Sequence, residues 1–250
     1  MSNGGFLLRN VLPGITPTCT TLATGYSAGN ASNNQPSQYV LSTTTTLTVV
    51  YDLTTATAMT GASVHNHNMP FTGSIAKVQF GSDGNTWAND ETFVIGTPVT
   101  TNGITRYPDF YLIFSTTRTY RYVKFTFTVA SGTIQIGELF IGKSYQLTKN
   151  YDSNFVKFPI MNKTIVANTV MAVSEQTGYA LQFSAVPNTI YDAFIDIFRP
   201  KHVVFIPNYA SGTCYHGLNT DTKVSMPNLA GASTWFGASC NFVSSPVVAT

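Results

Sequence analysis

Charge is scarce in this chain. Only 10% of its 250 residues are Asp, Glu, Lys or Arg, 13 basic against 11 acidic, for a formal net charge of +2. No Lys/Arg cluster appears anywhere, so the electrostatic footprint of a nucleic-acid binder is missing. Cysteine is scarcer still. Cys19, Cys214 and Cys240 are too few for a disulfide framework, and their spacing matches no zinc motif. One Cys214–Cys240 bridge is a reading the count allows; reduced, half-buried thiols are the favoured one. No apolar run is long enough to span a bilayer. The opening MSNGGFLLRNVLPG holds too short an apolar stretch for a secretory signal. The expectation is a protein without membrane insertion or nucleic-acid partner. It would work where it is made, or inside an assembly exported whole.

What is plentiful points to strands. Hydrophobic residues reach 43% and aromatics 13%, set among many Thr, Ser, Asn and Gly. That mixture favours β structure and is too apolar for disorder. The length allows one large β domain or two smaller ones, each with a real core.

The strongest pattern is Thr119–Leu147. In RYVKFTFTV, Tyr122, Lys124, Thr126 and Thr128 share one face, and Val123, Phe125, Phe127 and Val129 the other. A period of two marks a half-buried strand. TIQIGELFI follows after Ala-Ser-Gly, with Gly137 interrupting its alternation, and the two runs together predict an antiparallel hairpin. Upstream, TTTTLTVVYDL (43–53) reads as a β-branched strand and ATAMTGASVHNHNM (56–69) as another. In 74–96 a strand, a turn at Ser82-Asp83-Gly84-Asn85, Trp87 and a further strand form a hairpin signal. Residues 1–38 read as an extended lead-in with turns at Pro13-Gly14 and Gly25.

Beyond Lys143 the pattern restarts with strand candidates at 154–162, 164–174 and 178–186. Ile190, Ala193, Phe194, Ile197 and Phe198 then fall at helical spacing and Pro200 closes them, which predicts one helix over about 189–199. KHVVFIPN (201–208) and a Gly-rich tail with Trp235 and Phe236 complete the chain.

The order GYSAGN, YVLSTTTTLTVVYDL, HNHN, AKVQFGSDGNTW, RTYRYVKFTF, IQIGELFIG resembles the discoidin, or coagulation-factor type C, family of galactose-binding-like jelly rolls. The version found in bacteriophage tail-associated proteins is the most similar. The motifs are His65-Asn66, the turn Ser82-Asp83-Gly84 with Trp87, Arg121–Val123, and Ile136–Leu139, across residues 20–145. A tryptophan that such domains carry early is replaced here by Tyr39. The resemblance implies an all-β protein. A galactose-binding-like jelly-roll sandwich over 1–146 would precede a smaller β domain with one helix over 147–250. It also implies a structural virion component of a phage tail or baseplate, assembled in the host cytoplasm. Its partners would be other tail subunits, in a homo-oligomer that is a multiple of three or six. The lead-in and the tail 241–250 would lie along a neighbour, by strand addition. The alternative is a carbohydrate-binding module for host surface glycans; a glycan-cleaving enzyme comes third.

Candidate chemistry is thin. His65 and His67 share a strand face, a spacing that can seat a metal, but no third ligand is evident and no metal site or cofactor is expected. Calcium is structural in some discoidin-like domains, which leaves an ion in the lead-in open. Asp83-x-Asn85 lacks the remaining ligands of a calcium loop. Asp192 and Asp196 form an i, i+4 pair on the solvated side of the predicted helix rather than a glycosidase pair. There is no Gly-x-Ser-x-Gly and no His beside an obvious Ser or Cys, so no catalytic residue is assigned and no enzyme expected. Trp87, Tyr107, Phe110 and Tyr111 are the candidate sugar-stacking residues. For Trp87 the competing reading is packing onto its own hairpin, and that reading is favoured.

Overall fold

The computed structural model describes residues 4–35, 37–101, 104–146, 156–166, 169–187, 202–208, 214–219 and 235–244. In chain order the strands are β1 (Gly5–Leu8), β2 (Thr18–Cys19), β3 (Val40–Leu41), β4 (Thr46–His67), β5 (Ile75–Gly81), β6 (Ala88–Thr92), β7 (Val99–Thr101) and β8 (Ile104–Arg106). They continue as β9 (Phe110–Thr128), β10 (Gln135–Gln146), β11 (Val156–Val166), β12 (Thr169–Pro187), β13 (His202–Ile206), β14 (Tyr215–Asn219) and β15 (Trp235–Ser244). A 3-10 turn, Ala28–Ser32, is the one helical element among the described residues. The all-β expectation holds. The helix expected over 189–199, with Asp192 and Asp196, lies outside the described residues.

The two stretches read as separate strands, 43–53 and 56–69, are one strand, β4. A bulge between Asp52 and Thr57 bends it, and Thr54 there adopts φ 64, with its amide donating to Asp52 Oδ1 at 2.8 Å. A left-handed β-branched residue is costly, so the bend is an imposed feature of the fold. YLIFS and RYVKFTF likewise join into the single strand β9. β4 then serves both sides of a sandwich. Its first half, Thr46–Asp52, pairs with Thr128–Tyr122 of β9, and its second half also pairs with β10, Gly61 to Gly142 through His67 to Ile136.

The expected β9–β10 hairpin is therefore wrong. The sheet order is β10-β4-β9-β5-β6, with β4 between the two runs. Both runs are antiparallel to β4, so their short connection through Gly132 (φ 84) crosses from one side of the sandwich to the other instead of turning back. One apolar core results, with Leu47, Val49 and Tyr51 of β4, Val78 and Phe80 of β5, Val123, Phe125 and Phe127 of β9, and Ile136, Leu139 and Ile141 of β10.

The lead-in does not lie free. β1 pairs on one edge with β10 (Leu8 to Lys143) and on the other with β13 (Phe6 to Phe205). Its capacity for strand addition is thus spent inside its own chain, a correction to the expectation for residues 5–8. Gly61 and Gly142, a cross-strand pair, make room for it: a Cβ on Gly142 would stand 2.4 Å from Leu8 O, and one on Gly61 2.7 Å from Leu7 Cδ2. Through β1 the sheet runs on into β13-β14-β15-β12-β11, so the proposed boundary at 146/147 is crossed by pairing. Cys214 is a buried free thiol.

Candidate functional site

The outer face of β4, β9 and β5 carries aromatic and charged side chains together. Strand alternation buries Val123, Phe125, Val78 and Phe80 and turns Tyr122, Lys124, Lys77 and Gln79 outward. In one cross-strand row Asp52 pairs with Tyr122 and Tyr122 with Gly81; in the next, Val50 pairs with Lys124 and Lys124 with Gln79. Gly81 has no side chain, and the Trp87 ring lies over it, 3.4 Å from where a Cβ would stand. Trp87 is delivered there by the 82–86 turn. Asp83 Oδ1 accepts from the Asn85 and Thr86 amides at 2.9 and 2.8 Å, and Gly84 (φ 76) packs on the Tyr122 ring. Those amides hold the Asp83 carboxyl below its ordinary value.

Trp87 and Tyr122 are thereby neighbours, half-buried, each with a cation. Lys124 Nζ sits 4.5 Å from the Trp87 ring centroid, and the Arg121 guanidinium 4.9 Å from that of Tyr122. Arg121 also grips Asp52 through two 2.7 Å hydrogen bonds, and holds that carboxyl well below the usual range. Gln79 donates to Asp90, which Lys77 also approaches. Partial burial lowers Lys124.

The other sequence candidates stand elsewhere. Tyr111 is buried against Leu7, Phe140, Val204, Ile206 and Cys214, and burial pushes its phenol up to about 12. Phe110 is fully buried in the main core. Tyr107 is half-buried, its ring 5.9 Å from that of His67. His67 pairs with Ile136 near the far end of β4, whereas Trp87 lies over Gly81 of β5 and against Lys124 of β9, in the cross-strand rows of Val50 and Asp52. Tyr107 and Tyr111 therefore do not join the Trp87 face.

His65 and His67 fasten the strap 107–109. His65 Nδ1 meets Asp109 Oδ2 at 2.8 Å and its Nε2 meets Ser63 Oγ at 2.7 Å. His67 Nε2 donates to Pro108 O at 3.0 Å, and its Nδ1 accepts from the Met69 amide at 3.1 Å. Every ring nitrogen is engaged, so neither histidine offers a lone pair to a metal. Burial lowers His67 further below its ordinary value. Ser63–His65–Asp109 has the connectivity of a hydrolytic triad, contrary to the expectation that no serine adjoins a histidine. With Ser63 at 0% and His65 at 1% exposure, no substrate reaches it, and its role is to pin the strap.

Buried polar groups of β10, β4 and the lead-in gather at one place. Glu138 is fully buried with neither carboxylate oxygen hydrogen-bonded, and Asn34 Oδ1 and Tyr51 Oη are likewise buried without partners. Burial pushes Glu138 up to about 9, opposed by the Asn34 and Gln35 amides beside it. A carboxylate and an amide oxygen are hard donors, so this set fits the calcium that some discoidin-like domains carry. Glu138 and Asn34 would hold it, and its chemistry there would be structural.

No family model matches the chain, and no curated protein does. Among solved structures it is similar to a chitosan-binding module of a chitosanase/glucanase from Paenibacillus sp. IK-5. The identity is 20% over 53% of this chain and 98% of that one, with a TM-score of 0.40. It is similar also to the lectin domain of lectinolysin complexed with Lewis B antigen, at 15% identity over 55% and 98% with a TM-score of 0.43. A third is a pectin-binding carbohydrate-binding module, at 14% over 54% and 91%, TM-score 0.39. Likenesses at this level carry no argument about what this chain binds.

Tyr122, Lys124, Arg121 and Asp52 were missed as site residues. The alternation that put Tyr122 and Lys124 on the polar side of their strand was the available signal. That Trp87 would lie over that same face depends on Gly81, whose missing side chain gives no periodic sign.

Proposed function

We propose that the chain is a non-catalytic carbohydrate-binding module whose ligand platform is the outer β4–β9–β5 face. The observation that carries this reading is the pair of half-buried rings, Trp87 and Tyr122, that adjoin Gly81 on this face, Trp87 lying over it and Tyr122 paired across from it. Aromatic faces accept the apolar C–H faces of sugar rings. Lys124, Gln79, Lys77, Asp90, Asp52 and Arg121 surround them with donors and acceptors for hydroxyl groups. The test is a glycan array followed by calorimetry with the full chain. Trp87→Ala and Tyr122→Ala, each shown folded by its thermal melt, should weaken binding by roughly tenfold or more. Absence of any glycan ligand, or unchanged affinity in both variants, would refute the proposal.

The reading as a virion tail subunit, with its oligomer and neighbours, rests on the sequence resemblance alone. Particle copy number by quantitative mass spectrometry tests it. The division into 1–146 and 147–250 stays a proposal beside it.

A further inference from the structure

Three of the chain's four histidines meet at one place, though three separate strands supply them. His216 on β14 lies between His65 of β4, with ring centroids 5.0 Å apart, and His202 of β13, at 5.3 Å and within 11° of parallel. Phe140 of β10 meets the same ring edge-on at 6.4 Å. β14 and β4 are not neighbours, since the order is β14-β13-β1-β10-β4. Four spacings of about 4.8 Å would separate them by roughly 19 Å in a flat sheet. The sheet must therefore curl to bring these rings together, and the imidazole stack closes the curl. Beside it lies the small cluster of Leu7, Tyr111, Phe140, Val204, Ile206 and Cys214, which joins the same strands.

We propose that the stack His65–His216–His202 is an acid-released latch holding the β13–β14 pair against the end of the sandwich. A neutral stack packs well in apolar surroundings; a proton on His216 would face two further imidazoles. Among the described residues one carboxylate stands near it, and it is turned to His65. From the strap, Asp109 is the nearest carboxylate, and its oxygens already engage His65 Nδ1 and the Asn66 amide. From β10 comes Glu138, the cross-strand partner of His65, beside the Asn34 and Gln35 amides of the lead-in. Next to β14, Cys214 is a thiol that burial holds protonated, and Tyr111 of β9 is a phenol raised for the same reason. β1 contributes only Leu7 to the cluster. Burial, His65 and His202 together keep His216 well below the ordinary histidine value, and burial lowers His202.

The direction in pH follows. A histidine depressed in the closed state takes up its proton when the latch opens. The stabilisation is therefore complete above about 6.5 and declines as pH falls below it. For one such proton the opening equilibrium should rise roughly 30-fold between pH 7.5 and 5.

Hydrogen exchange on the full chain, expressed as protection factors at pH 7.5 and 5, tests this. Protection of the β13 and β14 amides should fall about tenfold or more on acidification, while the β4–β9 ladder is unchanged. His216→Phe, which keeps a ring beside Phe140, should abolish the fall. Should that variant not fold, His202→Phe removes one of the two facing imidazoles from a half-buried position and should shrink it. Equal protection of parental β13–β14 at both pH values would overturn the proposal, as would an undiminished fall in the variants.

Discussion

Glu138 is a residue whose chemistry departs far from its ordinary state. An unfolded glutamate titrates near 4.3, and burial pushes this one up to about 9. Its folded value is the higher one, so its contribution is complete below about pH 4.3 and is lost as pH rises toward 9. In a chelator, urea unfolding should therefore show stability declining from pH 5 to 8. Glu138→Gln keeps the shape and cannot ionise. It should flatten that decline and be more stable than the parent at pH 8 by on the order of 1–3 kcal/mol. Calcium should reverse the order, raising the melting temperature of the parent and not of the variant. A Gln variant with the parental pH profile and calcium response would exclude the cluster as described. The Asp52–Arg121 pair behaves oppositely. It is exposed at 40% and 45%, so Asp52→Ala should leave thermal stability nearly unchanged. Its effect should appear instead in glycan affinity, since it frees Arg121 beside the Tyr122 ring.

At the scale of elements, β1 is the piece that ties the sheet together. Its seat depends on Gly142, where any Cβ would meet the backbone of Leu8 and Arg9. Backbone cannot yield without parting the β1–β10 ladder, so Gly142→Ala should destabilise by about 1–3 kcal/mol. Gly61→Ala should cost less, because its nearest obstacle is the movable end of the Leu7 side chain. Urea midpoints compare them; equal losses would show that β1 does not sit as tightly as described. Strands of this kind were legible in the sequence and their partners were not. The alternation in RYVKFTFTV states which side chains are buried, and it was right for Val123, Phe125, Phe127 and Val129. It carries no information about which strand lies alongside, and so β4 came between two runs that proximity in sequence had paired. The bulge at Thr54 left no mark either, because Thr is an ordinary strand residue and the left-handed backbone is imposed by Asp52 and the bend.

For the molecule as a whole, one sheet passes from the first half of the chain into the second through β1, and the histidine stack closes over that passage. Composition foresaw the β architecture because aromatic and β-branched residues had nowhere else to go. The site was harder to read. Trp87 was visible through its turn, whereas Tyr107 and Tyr111 looked equivalent to it in sequence and are separated from it by the fold. Ser63 and His65 lie two residues apart on β4 and Asp109 stands just ahead of β9, and only the β4–β9 register brings that carboxylate to the histidine. The outer face of the sandwich is left as the surface on which rings and hydrogen-bonding groups converge. Calorimetric titration of an array-selected glycan into the full chain and into its Trp87→Ala, Tyr122→Ala double variant tests that most directly. Saturable binding by the parent and none by the folded double variant is the result predicted. Equal binding by both would place the ligand elsewhere and contradict the account.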